Sequence, residues 1–221
     1  SKIIYSKNRL LTTIAYRIKG KTTYAMEGSI FIAGAGVQWL RDKLNFFKKA
    51  SETENIVKSL KDNKGVYLVP AFTGLGAPYW DANARGVLSG LTRDTGPKEI
   101  IRATIESVAY QTYDLFEAMK HDGLRPKLVK VDGGMVMNNW FSQFLSDVVN
   151  IRVSRPKVQE TTALGAAFMA GLQIGVYNSL ADISKNWHLD KNFTPKIKFK
   201  DRNNLVKGWS EAIKKTLTKA I

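Results

Sequence analysis

The sequence predicts one α/β domain, and three observations predict it. Short runs rich in β-branched residues alternate with longer stretches of helical periodicity. No internal repeat and no low-complexity linker divides residues 1–221, so a single domain is expected over that whole span. The composition, 44% hydrophobic and 24% charged over 221 residues, is that of an ordinary globular chain with enough apolar side chains for a core.

In order, residues 1–9 are polar and irregular, and Leu10–Ile18 alternates as a strand. Lys19-Gly20-Lys21 supplies a tight turn, and Thr22–Met26 is the hairpin partner. Phe31, Val37, Leu40 and Leu44 predict a helix running to Lys49, with Gly34 and Gly36 inside it. An interior helical glycine costs about 1 kcal/mol relative to alanine, so those two need a reason: close helix packing, or close approach of a ligand. Residues 51–64 form a charged helix and loop, and Val66–Pro70 a buried strand. Ala71 to Asp81 is aromatic, glycine-rich and aperiodic, so a neighbour must cover it or it walls a site. Pro97 opens a helix reaching His121, with Ile101, Ile105, Val108, Leu115 and Met119 as its core stripe. Leu128–Val131 and Ile151–Ser154 are strands, Thr161–Gly171 is a helix of mostly small residues, and loop leads to Pro195. Leu205, Trp209, Ile213 and Leu217 mark a last amphipathic helix. The strands are few for so many helices, and the sheet is expected to lack its first strands.

Composition closes several routes. With no cysteine there is no disulfide, thiolate metal site or thiol nucleophile. His121 and His188 lie far apart, so no histidine metal cluster is expected. No apolar run reaches 18 residues and nothing reads as a signal peptide, which leads to a cytoplasmic expectation and no membrane partner. The net charge of +15 is diffuse and mostly lysine towards the C-terminus. Without arginine runs or interleaved aromatics it reads as a solvated surface, not a nucleic-acid interface.

Between the strand at Leu128–Val131 and the helical pattern beginning near Trp140 lies Asp132-Gly133-Gly134. Paired glycines at a strand–helix junction let a ligand touch the main chain, and the free N–H groups of the following helical turn act as donors. Most such turns are only turns, so the feature alone decides nothing.

Longer motifs carry a resemblance. Gly86-x-Leu88-x-Gly90-Leu91, seven residues, then Glu99-Ile100-x-x-Ala103-Thr104-Ile105-Glu106 is similar to a signature of the FGGY family of carbohydrate kinases. Pro70 to Asp81, Tyr24 to Gly28, Gln38 to Asp42, Ile101 to Ser107 and Arg155-Pro156 resemble its glycerol kinase branch, and the likeness covers essentially all residues. It implies a ribonuclease H-like fold, shared with actin-like ATPases, and specifically the nucleotide-binding C-terminal domain. Carried over by position, Gly34, Gln38, Gly134 and Asn138 match nucleotide contacts, and Gly133 and Met135 are neighbours in the same wall. The implied cofactors are ATP or ADP with Mg²⁺, and the implied reaction is transfer of the γ-phosphate to glycerol.

The family pattern has parts that this sequence does not contain: a phosphate loop with its flanking strands, the glycerol-binding residues and the aspartate base. The resemblance therefore names no catalytic residue and no metal ligand here. It implies an N-terminal FGGY domain as partner, on the same or a separate chain, bringing glycerol with it, and a possible homo-oligomer. This chain alone is expected to be inactive. Its alternatives are a non-catalytic nucleotide-binding or interaction remnant, and half of a related sugar kinase. Asp81, Asp132 and Glu106 are expected to be structural.

Overall fold

The computed structural model describes residues 3–219. Strands β1 (Leu11–Ile18) and β2 (Lys21–Glu27) form the predicted hairpin. Lys19 and Gly20 both take positive φ, +50° and +74°, which matches the turn to the twist of its strands. β1 pairs only with β2 among the described residues and leaves Leu11, Ile14 and Tyr16 exposed.

Helix α1 (Gly34–Asp42) corrects the sequence reading. It begins at Gly34 and ends seven residues before Lys49, because Asn45 takes φ +55° and turns the chain out of helical register. Phe31 and Leu44 fall outside it and are exposed. The glycines sit in the first turn, where the interior penalty does not apply. A Cβ on Gly36 would stand 3.0 Å from Thr104 Cγ2, whereas one on Gly34 would meet nothing within 4 Å. Gly36 is thus a packing residue, and Gly34 faces open space.

Helix α2 (Glu52–Lys58) precedes β3 (Tyr67–Val69), which pairs with β4 (Val87–Ser89), a strand not predicted from the sequence. The signature glycines around β4 act through packing. At Gly90, φ is +81° and a Cβ would lie 1.8 Å from the Gly65 carbonyl oxygen. Gly90→Ala should therefore cost roughly 2 kcal/mol or more, read as a lowered midpoint in thermal melts.

Helix α3 (Pro97–His121) is the central post and spans the predicted residues. Pro97 opens it, and Glu99 Oε2 accepts from the Gly96 N–H at 3.0 Å. It packs against α1, α2, β3 and α4 (Asn139–Val149). Its Tyr110 stacks on Trp209 of α7 (Phe199–Thr216) with ring centroids 5.3 Å apart and meets Phe144 edge-on. Leu217 lies just past the end of α7.

β5 (Leu128–Lys130) runs parallel to β6 (Arg152–Pro156) through α4, and β7 (Leu189–Phe193) adds antiparallel to β6. β7 and the short α6 (Leu180–Ser184) stand in the stretch that the sequence presents as loop. Their exposed, non-alternating residues carry no periodic signal. Among the described residues the strands thus form three separate small sheets instead of one. Helix α5 (Thr161–Gln173) buries only Gly171 despite its apolar composition.

Candidate functional site

The turn after β5 is built by its two glycines in different ways. Gly133 adopts φ +85°, ψ +173°, and its N–H reaches the Gln159 carbonyl at 3.4 Å, tying the turn to the segment after β6. Gly134 then opens a single 3₁₀ turn, Gly134–Met137, and a Cβ there would meet nothing within 4 Å. Asn138 ends that turn and caps α4, its Oδ1 accepting from the Phe141 N–H at 3.0 Å.

Buried Arg155 of β6 holds the turn from behind. Its Nη1 donates to the Val136 carbonyl at 2.7 Å and the Met137 carbonyl at 3.3 Å, and its Nη2 donates to Asn139 Oδ1 at 3.2 Å. Asp190 fixes the guanidinium through Nε at 2.7 Å. A planar, five-donor side chain can gather several acceptors at once, which lysine cannot. The motif Arg155-Pro156 singles this arginine out in the sequence but does not show this role.

Between this turn and the N-terminus of α1 lies a cleft of about 470 Å³. Gly34, Gln38, Gly134, Met135 and Asn138 line it together, although α1 and the turn lie about a hundred residues apart in sequence. Gly133 sits one residue behind the lining and sets the path of the turn. Ile105 of α3 also lines the cleft, and Ala50, Ser51, Thr53 and Glu54 form a further wall that sequence reasoning missed. Met135 is half-buried and packs on the core, so the cleft combines apolar surface with open main chain. The first turn of α1 holds no acidic side chain, and a helix N-terminus carries partial positive charge.

Two ion pairs flank the cleft. Arg41 Nε lies 2.6 Å from Asp42 Oδ1, and that bond holds the Asp42 carboxyl below its ordinary range. Burial pushes the Glu54 carboxyl up, but Lys58 at 2.6 Å and Asn139 outweigh it and leave the group below the usual range.

The carboxylates expected to be structural are placed as follows. Asp81 accepts from the main chain of Asn83, Ala84 and Thr218, as a turn residue does. Glu106 is fully buried within the core. Asp132 lies in the irregular step between β5 and the 3₁₀ turn and caps neither. Among the described residues no cluster of three or more His, Asp or Glu is placed to hold a metal ion. No helix among them is long and apolar enough to cross a membrane.

Comparison with known proteins gives this geometry a context. Residues 6–174 match the family model of the FGGY family of carbohydrate kinases, C-terminal domain. Glycerol kinase 1 of Pseudomonas aeruginosa is 55% identical over 217 residues, covering 98% of this chain and 44% of that protein. The glycerol kinase of Alteromonas mediterranea is 56% identical over 210 residues, covering 95% and 42%. The chain therefore spans less than half the length of these curated relatives. Among solved structures, Plasmodium falciparum glycerol kinase with ADP superposes with a TM-score of 0.88 at 37% identity, covering 99% of this chain and 44% of that one. Gluconate kinase from Lactobacillus acidophilus, at 23% identity and a TM-score of 0.78, shares the fold, again over 96% of this chain and 43% of that one. A profile match over most of the chain, with the same fold in a 37% identical kinase, identifies this chain as a member of the FGGY family of carbohydrate kinases, matching its C-terminal domain.

Proposed function

We propose that the cleft between α1, α2 and the turn before α4 is the adenine-nucleotide seat of a glycerol kinase, and that residues 1–221 form one nucleotide-binding domain of it. One observation carries the reading: residues assigned to nucleotide contact by the family resemblance, on two distant segments, line a single cleft. Its chemistry suits the ligand. Val37 and Met135 offer apolar surface to a flat base, while Gly34 and Gly134 leave main chain open to polar atoms. Gln38 and Asn138 add side-chain amides that both donate and accept.

In this proposal the chain holds ATP, and its γ-phosphate passes to a terminal hydroxyl of glycerol. Phosphoryl transfer needs positioning and charge stabilisation more than covalent help from the protein. Mg²⁺ would neutralise phosphate charge, travelling with the nucleotide. The groups that seat glycerol and take its proton belong to an N-terminal FGGY domain, on the same or a separate chain. The exposed apolar surface of α5, with Met169 40% exposed, and the open side of β1 are consistent with such a partner.

Calorimetric titration with ADP and with Mg-ATP tests the seat. Saturable binding is expected, weakened at least about tenfold in Asn138→Ala, which also loses about 1 kcal/mol of helix cap. Absence of binding to the unmodified chain would overturn the reading. The purified chain alone should not phosphorylate glycerol.

A further inference from the structure

Asn138 serves α4 and lines the cleft at once, and the direction of its amide is a chemical question: one end accepts, the other donates. The surroundings answer it. The Phe141 N–H needs an acceptor and takes Oδ1 at 3.0 Å. On the other side stands Thr53 of α2, buried and 85 residues away in sequence. Its hydroxyl proton is already committed, because Oγ1 donates to the Ala50 carbonyl at 2.6 Å. Oγ1 therefore offers only lone pairs, and Asn138 Nδ2 donates to it at 3.4 Å. Turning the amide over would set donor against donor at Phe141 and acceptor against acceptor at Thr53.

We infer that Thr53 is a positioning residue for the nucleotide cleft, its hydroxyl fixing which end of the Asn138 amide a bound ligand meets. The second N–H of Nδ2 is then the group left to donate to an acceptor atom of the nucleotide. Thr53 need not touch the ligand itself; it acts through Asn138. The inference rests on the nucleotide reading of the cleft, but its first test does not.

That test is the side-chain amide resonance of Asn138 in ¹⁵N-labelled chain, without ligand. Wild type should show an Nδ2 proton protected from exchange, Thr53→Val should lose the protection, and Thr53→Ser should restore it. Unchanged protection in Thr53→Val would overturn the relay, whatever the cleft binds. In ADP titrations, Thr53→Val should bind about 5- to 10-fold more weakly and Thr53→Ser within about twofold of wild type. Equal affinity of a folded Thr53→Val chain would overturn the positioning role. If Thr53→Val does not fold, Asn138→Asp decides. Its carboxylate keeps the Phe141 cap and suits a helix N-terminus, which offsets the acceptor it sets against Thr53 Oγ1 and leaves a folded chain with a somewhat lowered melting midpoint, yet it has no N–H to give. ADP affinity should fall more than about tenfold, and undiminished affinity would overturn the donor assignment. An unmodified chain that ignores ADP but retains the protected amide would remove the nucleotide reading and leave the relay standing.

Discussion

Glu106→Ala should lower the stability of the domain by about 3–5 kcal/mol, the range for breaking a buried ion pair by removing one partner. Glu106 has no exposed surface and sits mid-way along α3. Its Oε1 accepts from Arg102 Nε at 2.7 Å, and its Oε2 accepts from the Tyr110 hydroxyl at 3.0 Å and Asn63 Nδ2 at 3.2 Å. Arg102 spends Nη1 on the Leu60 carbonyl at 2.7 Å and lies 5.0 Å over the Trp140 ring. Deleting the carboxylate strands a guanidinium, a phenol and an amide in places water reaches poorly. For a chain of this length the thermal midpoint should drop by roughly 10 °C. Circular-dichroism melts check it, and a loss under about 1 kcal/mol would refute the account. Replacing both partners, Arg102→Met with Glu106→Leu, should recover only the part due to the stranded guanidinium, since the Tyr110 hydroxyl, the Asn63 amide and the Leu60 carbonyl still lose their partners.

That cluster explains what was legible in the sequence. Glu106 closes the family signature, and its helix was readable to the residue because Pro97 marks the start and the apolar stripe repeats at helical spacing. The helix at α1 was over-extended for the opposite reason. Leu44 continues the spacing of Val37 and Leu40, but periodicity does not register the left-handed backbone at Asn45. Strand β7 gave no signal at all, since of its residues only Phe193 is buried.

The candidate site was legible unevenly. Paired glycines after a strand pointed to open main chain, and the structure keeps it open at Gly134. The roles of Gly34, Gln38 and Asn138 came from resemblance, because nothing local in the sequence places α1 beside the turn. Thr53 was missed outright, and Arg155 stood only in the motif Arg155-Pro156, with no role in the site. Each acts across a long separation, 85 residues from Thr53 to Asn138 and 19 from Arg155 to Val136, so its partners exist only after folding.

Asp114→Asn should stabilise the domain at neutral and alkaline pH while changing little near pH 4. Asp114, on α3, gathers two donors on one oxygen: the Tyr79 hydroxyl at 2.9 Å and the Trp209 indole N–H at 2.7 Å. It thereby ties the aromatic segment before β4 and helix α7 to the central post. Burial pushes its carboxyl up to about 7; the two donors pull the other way, and the nearby Glu117 adds to the rise. The folded state therefore favours the neutral acid, while the unfolded chain ionises near pH 4. Stability from this group is fully present below the unfolded value and is lost as pH rises through about 7. The gap between the two values corresponds to about 4 kcal/mol as an upper bound. Asp81, Glu99 and Asp122 work in the opposite sense, because their folded values are depressed, but their contribution falls away only at acid pH. Glu106, whose carboxyl burial also pushes up, works in the same sense as Asp114, so between pH 5 and 8 the slope should belong to these two buried carboxyls. An asparagine oxygen can accept both donors and never ionises. Urea midpoints measured across that range should fall with pH in the wild type and clearly less steeply in Asp114→Asn, where Glu106 alone remains; parallel curves would mean that Asp114 stays charged throughout and that its two hydrogen bonds, not its protonation, hold the three elements together.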